Sequence, residues 1–271
     1  MYISEHTVQR LRRLQALLDQ LQPAAAPQAL IVPGSPQPRE SVIVFTGSFN
    51  PPTIAHLALL KQARQFARLH EPMHLYAAFT KHTVDKETVE RPLLLDRIML
   101  LDLLLRRRLP HAGIMLFNRG LYVEQAEAIR LSFPRVKRIF FLMGFDKIVQ
   151  ILDPHYYDDR DASLVALFNL AELLVAPRGN AGEDELTALL HQLQNERFAR
   201  YIHSLPFSAN YRNISSTHIR QEASGYTHDI PQEVRQFMRE TRAYDPPLRR
   251  RDGSEVDYYA ERVKCLNTLI S

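Results

Sequence analysis

The sequence contains no tryptophan and only one cysteine, Cys265, among 271 residues. A single cysteine cannot close an internal disulfide, so the fold must rest on its core, and a reducing compartment suits it. No apolar run reaches the roughly 20 residues that a bilayer-spanning helix needs. The start of the chain lacks the basic residues, apolar stretch and small-residue cleavage site of a secretory signal. Together these absences point to a protein without a membrane span. The expected setting is cytoplasmic, with the nucleus left open. No internal repeat is visible, and no low-complexity array beyond one proline-rich stretch.

Apolar residues make up 45% and charged residues 24% of the chain, which is ordinary globular usage. Net charge is +4 and the pI about 9.2, a mild excess that suits anionic small molecules as well as nucleic acid. The length leaves room for one domain of ordinary to large size with appendages.

One stretch organises the rest: Gly47-Ser48-Phe49-Asn50-Pro51-Pro52-Thr53-Ile54-Ala55-His56. Before it lies the β-branched, apolar segment Ser41 to Thr46. After it, from Leu57 to Ala67, apolar residues recur at helical spacing. The pattern is strand, tight turn, helix, with Thr53 and His56 on one face of the first helical turn. A helix start presents N–H groups and the positive end of the dipole, and His adds a further donor. This is the pattern of a phosphate site at the top of a parallel sheet.

The remainder supports such a sheet. Residues 3–21 predict a basic amphipathic helix with Leu11, Leu14, Leu17, Leu18 and Leu21 on one face, packing on its own domain. Residues 22–40, with Pro23, Pro27, Pro33, Pro36 and Pro38, predict a linker or extended wrap and no core element. Strands are expected at 42–46, 73–79, 112–117, 138–143, 172–176 and 200–205. Helices are expected at 53–69, 93–109, 122–132, 163–169, 183–199, 215–223 and 231–241, and a further one near 256–269. A polar loop spans 80–92. The domain reading is therefore an N-terminal helix and linker over 1–40, one domain over 41–244 and a tail over 245–271. Alternating strands and helices imply an α/β, Rossmann-like, doubly wound parallel sheet with helices on both faces. Ligands of such sheets sit beyond the carboxyl ends of the strands.

A second stretch, Asn213-Ile214-Ser215-Ser216-Thr217-His218-Ile219-Arg220, places three hydroxyls where a helix begins. The hydroxyls are either plain helix caps or half of a second phosphate site, in which Arg220 shares a face with Ser216 and its planar fork matches phosphate oxygens.

The two stretches together resemble the nucleotidyltransferase superfamily marked by an H/T-x-G-H site. Within it, the chain is similar to the nicotinamide/nicotinate mononucleotide adenylyltransferases, in the eukaryotic-type pattern with Thr replacing the first His. The resemblance spans roughly residues 41–244. It includes Phe141-Leu142-Met143-Gly144-Phe145-Asp146, an apolar strand followed by G-x-D, and Val175-Ala176-Pro177-Arg178-Gly179-Asn180, a strand followed by an Arg-bearing loop.

The resemblance implies adenylyl transfer from ATP to a pyridine mononucleotide, with Mg²⁺ carried on the ATP phosphates and no dedicated protein ligands for it. His56 and Arg220 would then be catalytic. Gly47, Ser48, Phe49, Thr53, His56, Arg178, Ser215, Ser216 and Arg220 would hold ATP and its phosphates. Ser48, Asn50, Gly144, Asp146, Tyr122, Tyr156 and Tyr157 would meet the mononucleotide, together with Lys81 or Lys86, between which the reading does not choose. Arg97 matches a recurring arginine without an assigned role. Ala55 stands where the family usually has its last glycine. The two tryptophans that flank the pyridine ring in relatives are missing, so Tyr156, Tyr157 or Tyr122 would stack there instead.

Partners implied are ATP and nicotinamide or nicotinate mononucleotide, with no nucleic acid and with a homo-oligomer compatible. Asp158, Asp159 and Asp161 are read as a solvated loop, not a metal site. His70, His74, His82 and His111 lack ligand-like spacing, and Arg106-Arg107-Arg108 is read as a helix end. Two alternatives stay open: a related transferase using CTP or another phosphate acceptor, and a nucleotide-binding scaffold with reduced turnover.

Overall fold

Val42, Ile43 and Val44 are apolar without alternation, and all three are fully buried. A strand of this kind is stable only inside a sheet covered on both faces. The computed structural model has that architecture and describes residues 5–81, 94–221, 228–241, 248–249, 255–256 and 264.

The chain begins with α1 (Glu5–Gln20), β1 (Ala29–Ile31), β2 (Glu40–Thr46), α2 (Ile54–His70), β3 (Met73–Thr80), α3 (Leu94–Arg108) and β4 (Gly113–Phe117). It continues with α4 (Tyr122–Ser132), β5 (Val136–Gly144), α5 (Phe145–Leu152), α6 (Arg160–Phe168), β6 (Glu172–Ala176), α7 (Glu183–Leu190) and β7 (Ile202–Ser204). Then follow α8 (Ala209–Arg212), α9 (Ser216–Gln221), α10 (Gln232–Thr241) and a short antiparallel pair, β8 (Leu248–Arg249) with β9 (Glu255–Val256).

The main sheet has the order β1-β4-β3-β2-β5-β6-β7. All its pairings are parallel except β1 with β4. From β2 the chain builds outward through β3 and β4, then returns to lay β5 on the other side of β2. The strand order therefore reverses at β2, and the crevice for a ligand opens at its carboxyl end.

Two cores cover the two faces. On one, Leu11, Leu14 and Leu18 of α1 pack with Ile43, Leu60 and Leu101. On the other, Val42 and Val44 meet Ile129, Phe141, Ile148 and Leu167. A third cluster, Leu57, Leu100, Leu104, Ile219, Ile230 and Val234, ties α2 and α3 to α9 and α10.

The strands and helices expected across the middle of the chain are present with small shifts of their ends. The proline-rich stretch departs from its reading, because it supplies an edge strand. Its β1 pairs Ala29 with Phe117 and Ile31 with Met115. Asn118, 1% exposed, holds the preceding loop by donating to the Gln22 and Ala26 carbonyls and accepting from the Gln28 N–H. Prolines flank this strand without entering it, which is why composition alone suggested a linker. The long helix expected over 183–199 stops at Leu190 and resumes as a 3₁₀ turn over Glu196–Tyr201. There the Asn195 amide donates to the Leu189 carbonyl at 2.8 Å, satisfying a group that a continuing helix would have used. The helices α5 and α8 were not anticipated.

The helix expected near 256–269 falls outside the described residues except at 256 and 264, as does most of the loop over 80–92. Among the described residues no helix is long and apolar enough to cross a membrane.

Candidate active site

The turn after β2 is built by packing below and hydrogen bonding above. Phe49 is fully buried, although its backbone has φ 43, in the left-handed region. A bulky residue there costs about 1–3 kcal/mol. Burial of the ring offsets this, since Phe49 packs edge-on against Phe45 at 5.4 Å and Phe79 at 5.3 Å. Gly47 suits the same packing, because a Cβ on it would lie 3.2 Å from the Phe49 ring, closer than ordinary contact. The ring turns inward and leaves the Ser48 side chain exposed at the end of the strand.

Thr53 caps α2. Its hydroxyl accepts from the His56 N–H at 3.2 Å, and the His56 ring nitrogen Nδ1 accepts from the Thr53 N–H at 3.0 Å. This is a capping box in which imidazole replaces the usual carboxylate. An Nδ1 that accepts carries no proton, so neutral His56 bears its proton on Nε2 and offers a donor there. The ring lies 5.1 Å from Phe49 and 5.8 Å from Phe45. Desolvation, with Arg178 adding repulsion, lowers its pKa to about 4. At neutral pH His56 is an uncharged donor.

The start of α2 departs from the sequence expectation of N–H groups free for an anion. In the structure the Ile54 N–H donates to the Asp229 carbonyl at 2.9 Å, and that of His56 is held by Thr53. Two of the N–H groups at this helix start are therefore already engaged within the protein. Asp229 acts through its backbone, which leaves no signature in the sequence.

The second stretch reaches the same turn. Arg220 donates Nη1 to the Asn50 carbonyl, and the Ser216 hydroxyl donates to the Pro51 carbonyl at 2.8 Å. Two motifs 165 to 170 residues apart thus share a backbone segment. The Arg220 Nη2 lies 3.4 Å from the Thr217 hydroxyl, and the half-buried Ser215 accepts the Thr217 N–H at 3.2 Å. Because α9 has only six residues, its contribution comes through these side chains and not through a helix dipole.

Across the mouth, Arg178 donates Nε to Asp146 at 2.9 Å, both side chains exposed. Gly144 ends β5 next to the Arg178 stem, and a Cβ there would make an ordinary 3.6 Å contact with Arg178 Cδ. The two residues expected to meet different parts of the nucleotides are therefore partners of one another before any ligand arrives.

The remaining assignments scatter. Tyr122 starts α4 and packs edge-on against Phe141 at 5.0 Å, and burial pushes its hydroxyl well above the usual range. Tyr156 and Tyr157 follow the far end of α5, about 12 Å along the helix from Gly144 by its length. Tyr156 is 61% exposed, whereas the Tyr157 hydroxyl donates to the Ile151 carbonyl at 2.8 Å. Lys81 donates to the Leu18 carbonyl at 2.6 Å, neutralising the C-terminal end of α1. Lys86 lies outside the described residues. Arg97, which had no assigned role, donates to the Ser48 carbonyl at 3.0 Å.

A family model described as cytidylyltransferase-like matches residues 44–222, well over half the chain and spanning both motifs. No curated protein matches the sequence. Among solved structures, a proposed nicotinate-nucleotide adenylyltransferase from Vibrio parahaemolyticus is similar at 11% identity, covering 74% of this chain and 99% of its own, with a TM-score of 0.32. At that score the likeness bears no weight for fold or function.

Proposed function

The chain belongs to the cytidylyltransferase-like family, and from that premise we propose that it is an adenylyltransferase joining ATP to nicotinamide or nicotinate mononucleotide. In this reaction a 5′-phosphate oxygen of the mononucleotide attacks the α-phosphorus of ATP. The bond from that phosphorus to the β-phosphate oxygen breaks, and pyrophosphate leaves with the electron pair. No covalent enzyme intermediate is needed, so the protein's task is alignment and charge neutralisation.

The observation that carries this reading is the junction of the two motifs, with Arg220 on the Asn50 carbonyl and Ser216 on the Pro51 carbonyl. It gathers Ser48, His56, Ser215 and Arg220 at the carboxyl end of β2, where the strand order reverses. Neutral His56 donates Nε2–H to a phosphate oxygen, and this bond strengthens as negative charge builds in the transition state. Arg220 carries further N–H donors than those spent on Asn50 and Thr217, and with Ser215 and Ser216 it holds the β- and γ-phosphates. Arg178 exchanges Asp146 for a nucleotide phosphate. Asp146 is then released to accept from a ribose hydroxyl.

Among the described residues no group of three or more His, Cys, Asp or Glu converges on a metal site. By the resemblance, Mg²⁺ would arrive on the ATP phosphates and supply charge neutralisation there.

The acceptor rests on the resemblance alone, since Tyr122 is half-buried against Phe141 and Tyr156 and Tyr157 sit at the end of α5. The family match also favours keeping CTP and other phosphate acceptors as competitors. The test is pyrophosphate release measured with ATP or CTP against nicotinamide mononucleotide, nicotinate mononucleotide and other phosphomonoesters. Turnover only with ATP and a pyridine mononucleotide is expected. No release from either pyridine mononucleotide overturns the assignment.

A further inference from the structure

Ser48 and Asn50 flank Phe49, and each of their carbonyls accepts a hydrogen bond from an arginine. Arg220 takes the Asn50 carbonyl, and Arg97, reaching from α3, takes that of Ser48 at 3.0 Å. The two arginines differ in kind. Arg220 is half-buried at the mouth, whereas Arg97 is 6% exposed and lies beneath the turn beside the equally buried Asp96. A cation so enclosed acts on the backbone it touches.

The backbone between the two arginines needs such support. Phe49 holds a left-handed conformation that bulky side chains avoid, and the peptide units on either side of it can rotate to relieve the strain. Rotation of the 48–49 unit would swing the Ser48 carbonyl oxygen, the negative end of a peptide dipole, toward the place where phosphates collect. A guanidinium on that carbonyl opposes this movement, because a charge-assisted hydrogen bond is roughly twice as strong as a neutral one.

From this arrangement we infer that Arg97 is a positioning residue of the transfer site, holding the Ser48 carbonyl away from the phosphates and so keeping the turn receptive to anions. The inference rests on the adenylyl-transfer reading for its effect on rate, and on geometry alone for its effect on the turn.

The experiment compares Arg97→Met with Arg97→Lys. Each variant is measured for kcat and for KM of both nucleotides, and by hydrogen exchange of the amides of residues 47–53. Loss of an outer-shell partner typically costs about 10- to 100-fold in activity. For Arg97→Met we expect a fall of that size in kcat, with both KM values within about threefold of wild type, and faster exchange in the turn. Arg97→Lys, which keeps a cation on the carbonyl, is expected to recover most of both losses. Where Arg97→Met does not fold, Arg97→Gln is read in its place.

A kcat within threefold of wild type in the uncharged variant overturns the inference. So does equal loss in the Lys and Met variants, or loss matched by a fall in folded protein. If the wild type itself shows no transfer, the functional reading has failed, and exchange in the turn decides the inference alone. Unchanged exchange in Arg97→Met then refutes it.

Discussion

Thr53 and His56 are joined by three contacts: backbone N–H to Nδ1 at 3.0 Å, hydroxyl to backbone N–H at 3.2 Å, and hydroxyl beside Nδ1 at 2.9 Å. The same atoms that start the helix also orient the proposed catalytic ring. Thr53→Val keeps the shape and the backbone bond but removes the hydroxyl. Loss of a cap of this kind costs about 1 kcal/mol. We expect a denaturation midpoint lowered accordingly, and kcat lowered by about tenfold or more as the ring loses a restraint. Thr53→Ser should retain most of both. A Thr53→Val enzyme with full kcat would separate the cap from the chemistry.

The low pKa of His56 has two measurable consequences. A proton-carbon correlation titration of the His56 ring should show a midpoint near the value of about 4 set by burial and Arg178. Arg178→Met should move that midpoint upward, by less than the whole shift, because burial is the larger cause. A wild-type midpoint near 6.5 would show that the ring is solvated.

Stability should follow in a definite direction. The folded-state pKa lies below the unfolded value, so between about 6.5 and about 4 the unfolded chain binds a proton that the folded chain refuses. The contribution of His56 is therefore complete above pH 6.5 and is lost as pH falls toward 4. His74 is lowered in the same direction by burial and Arg39, so the informative quantity is the difference between wild type and His56→Gln. Denaturant unfolding at pH 7.5 and pH 5 should show the wild type losing more stability than the variant. Equal losses would contradict the burial of the ring.

The bridge between the motifs predicts coupling. Arg220→Met and Ser216→Ala each remove a donor from adjacent carbonyls, Asn50 and Pro51. Arg220→Met alone should reduce kcat by about 10²- to 10³-fold, the usual effect of losing one charge-stabilising group. In the double variant, the loss should fall short of the product of the two single losses, because both act on one backbone segment. Full multiplicativity would mean that the two residues work independently.

The N-terminal helix is part of the core. Leu14 is 1% exposed and packs among residues of β2, α2 and α3. Leu14→Ala should cost about 2–5 kcal/mol, read as a lower denaturant midpoint with an unchanged slope. A cost below 1 kcal/mol would mark α1 as an appendage.

Much of this architecture is legible in the chain itself. The apolar segments at 42–46, 73–79, 138–143 and 172–176 are strands because β-branched and aromatic runs of that length have no other way to be buried. The strand–turn–helix around Gly47 and His56 is local chemistry, written in consecutive residues. So is the leucine stripe of α1. The edge strand β1 was hidden because its pairing partner, β4, lies far along the chain, and three residues carry too little pattern to declare a strand. The same reason hid the break between α7 and the 3₁₀ turn, which is set by an asparagine side chain reaching a carbonyl.

The site divides along the same line. Residue types and spacing determined a strand–turn–helix around Gly47 and His56 and a second set of hydroxyls with an arginine, and these two stretches carry the resemblance to the family. Only tertiary structure decided that Arg220 and Ser216 grasp the carbonyls of Asn50 and Pro51, that Asp229 caps α2, that Arg97 lies under Ser48, and that Lys81 is engaged with Leu18. Each of these is a side chain or backbone carbonyl meeting a partner brought near by folding. Periodicity reports which face of an element is buried, because burial repeats with the element's own turn. It carries no record of which distant atom a single donor will find.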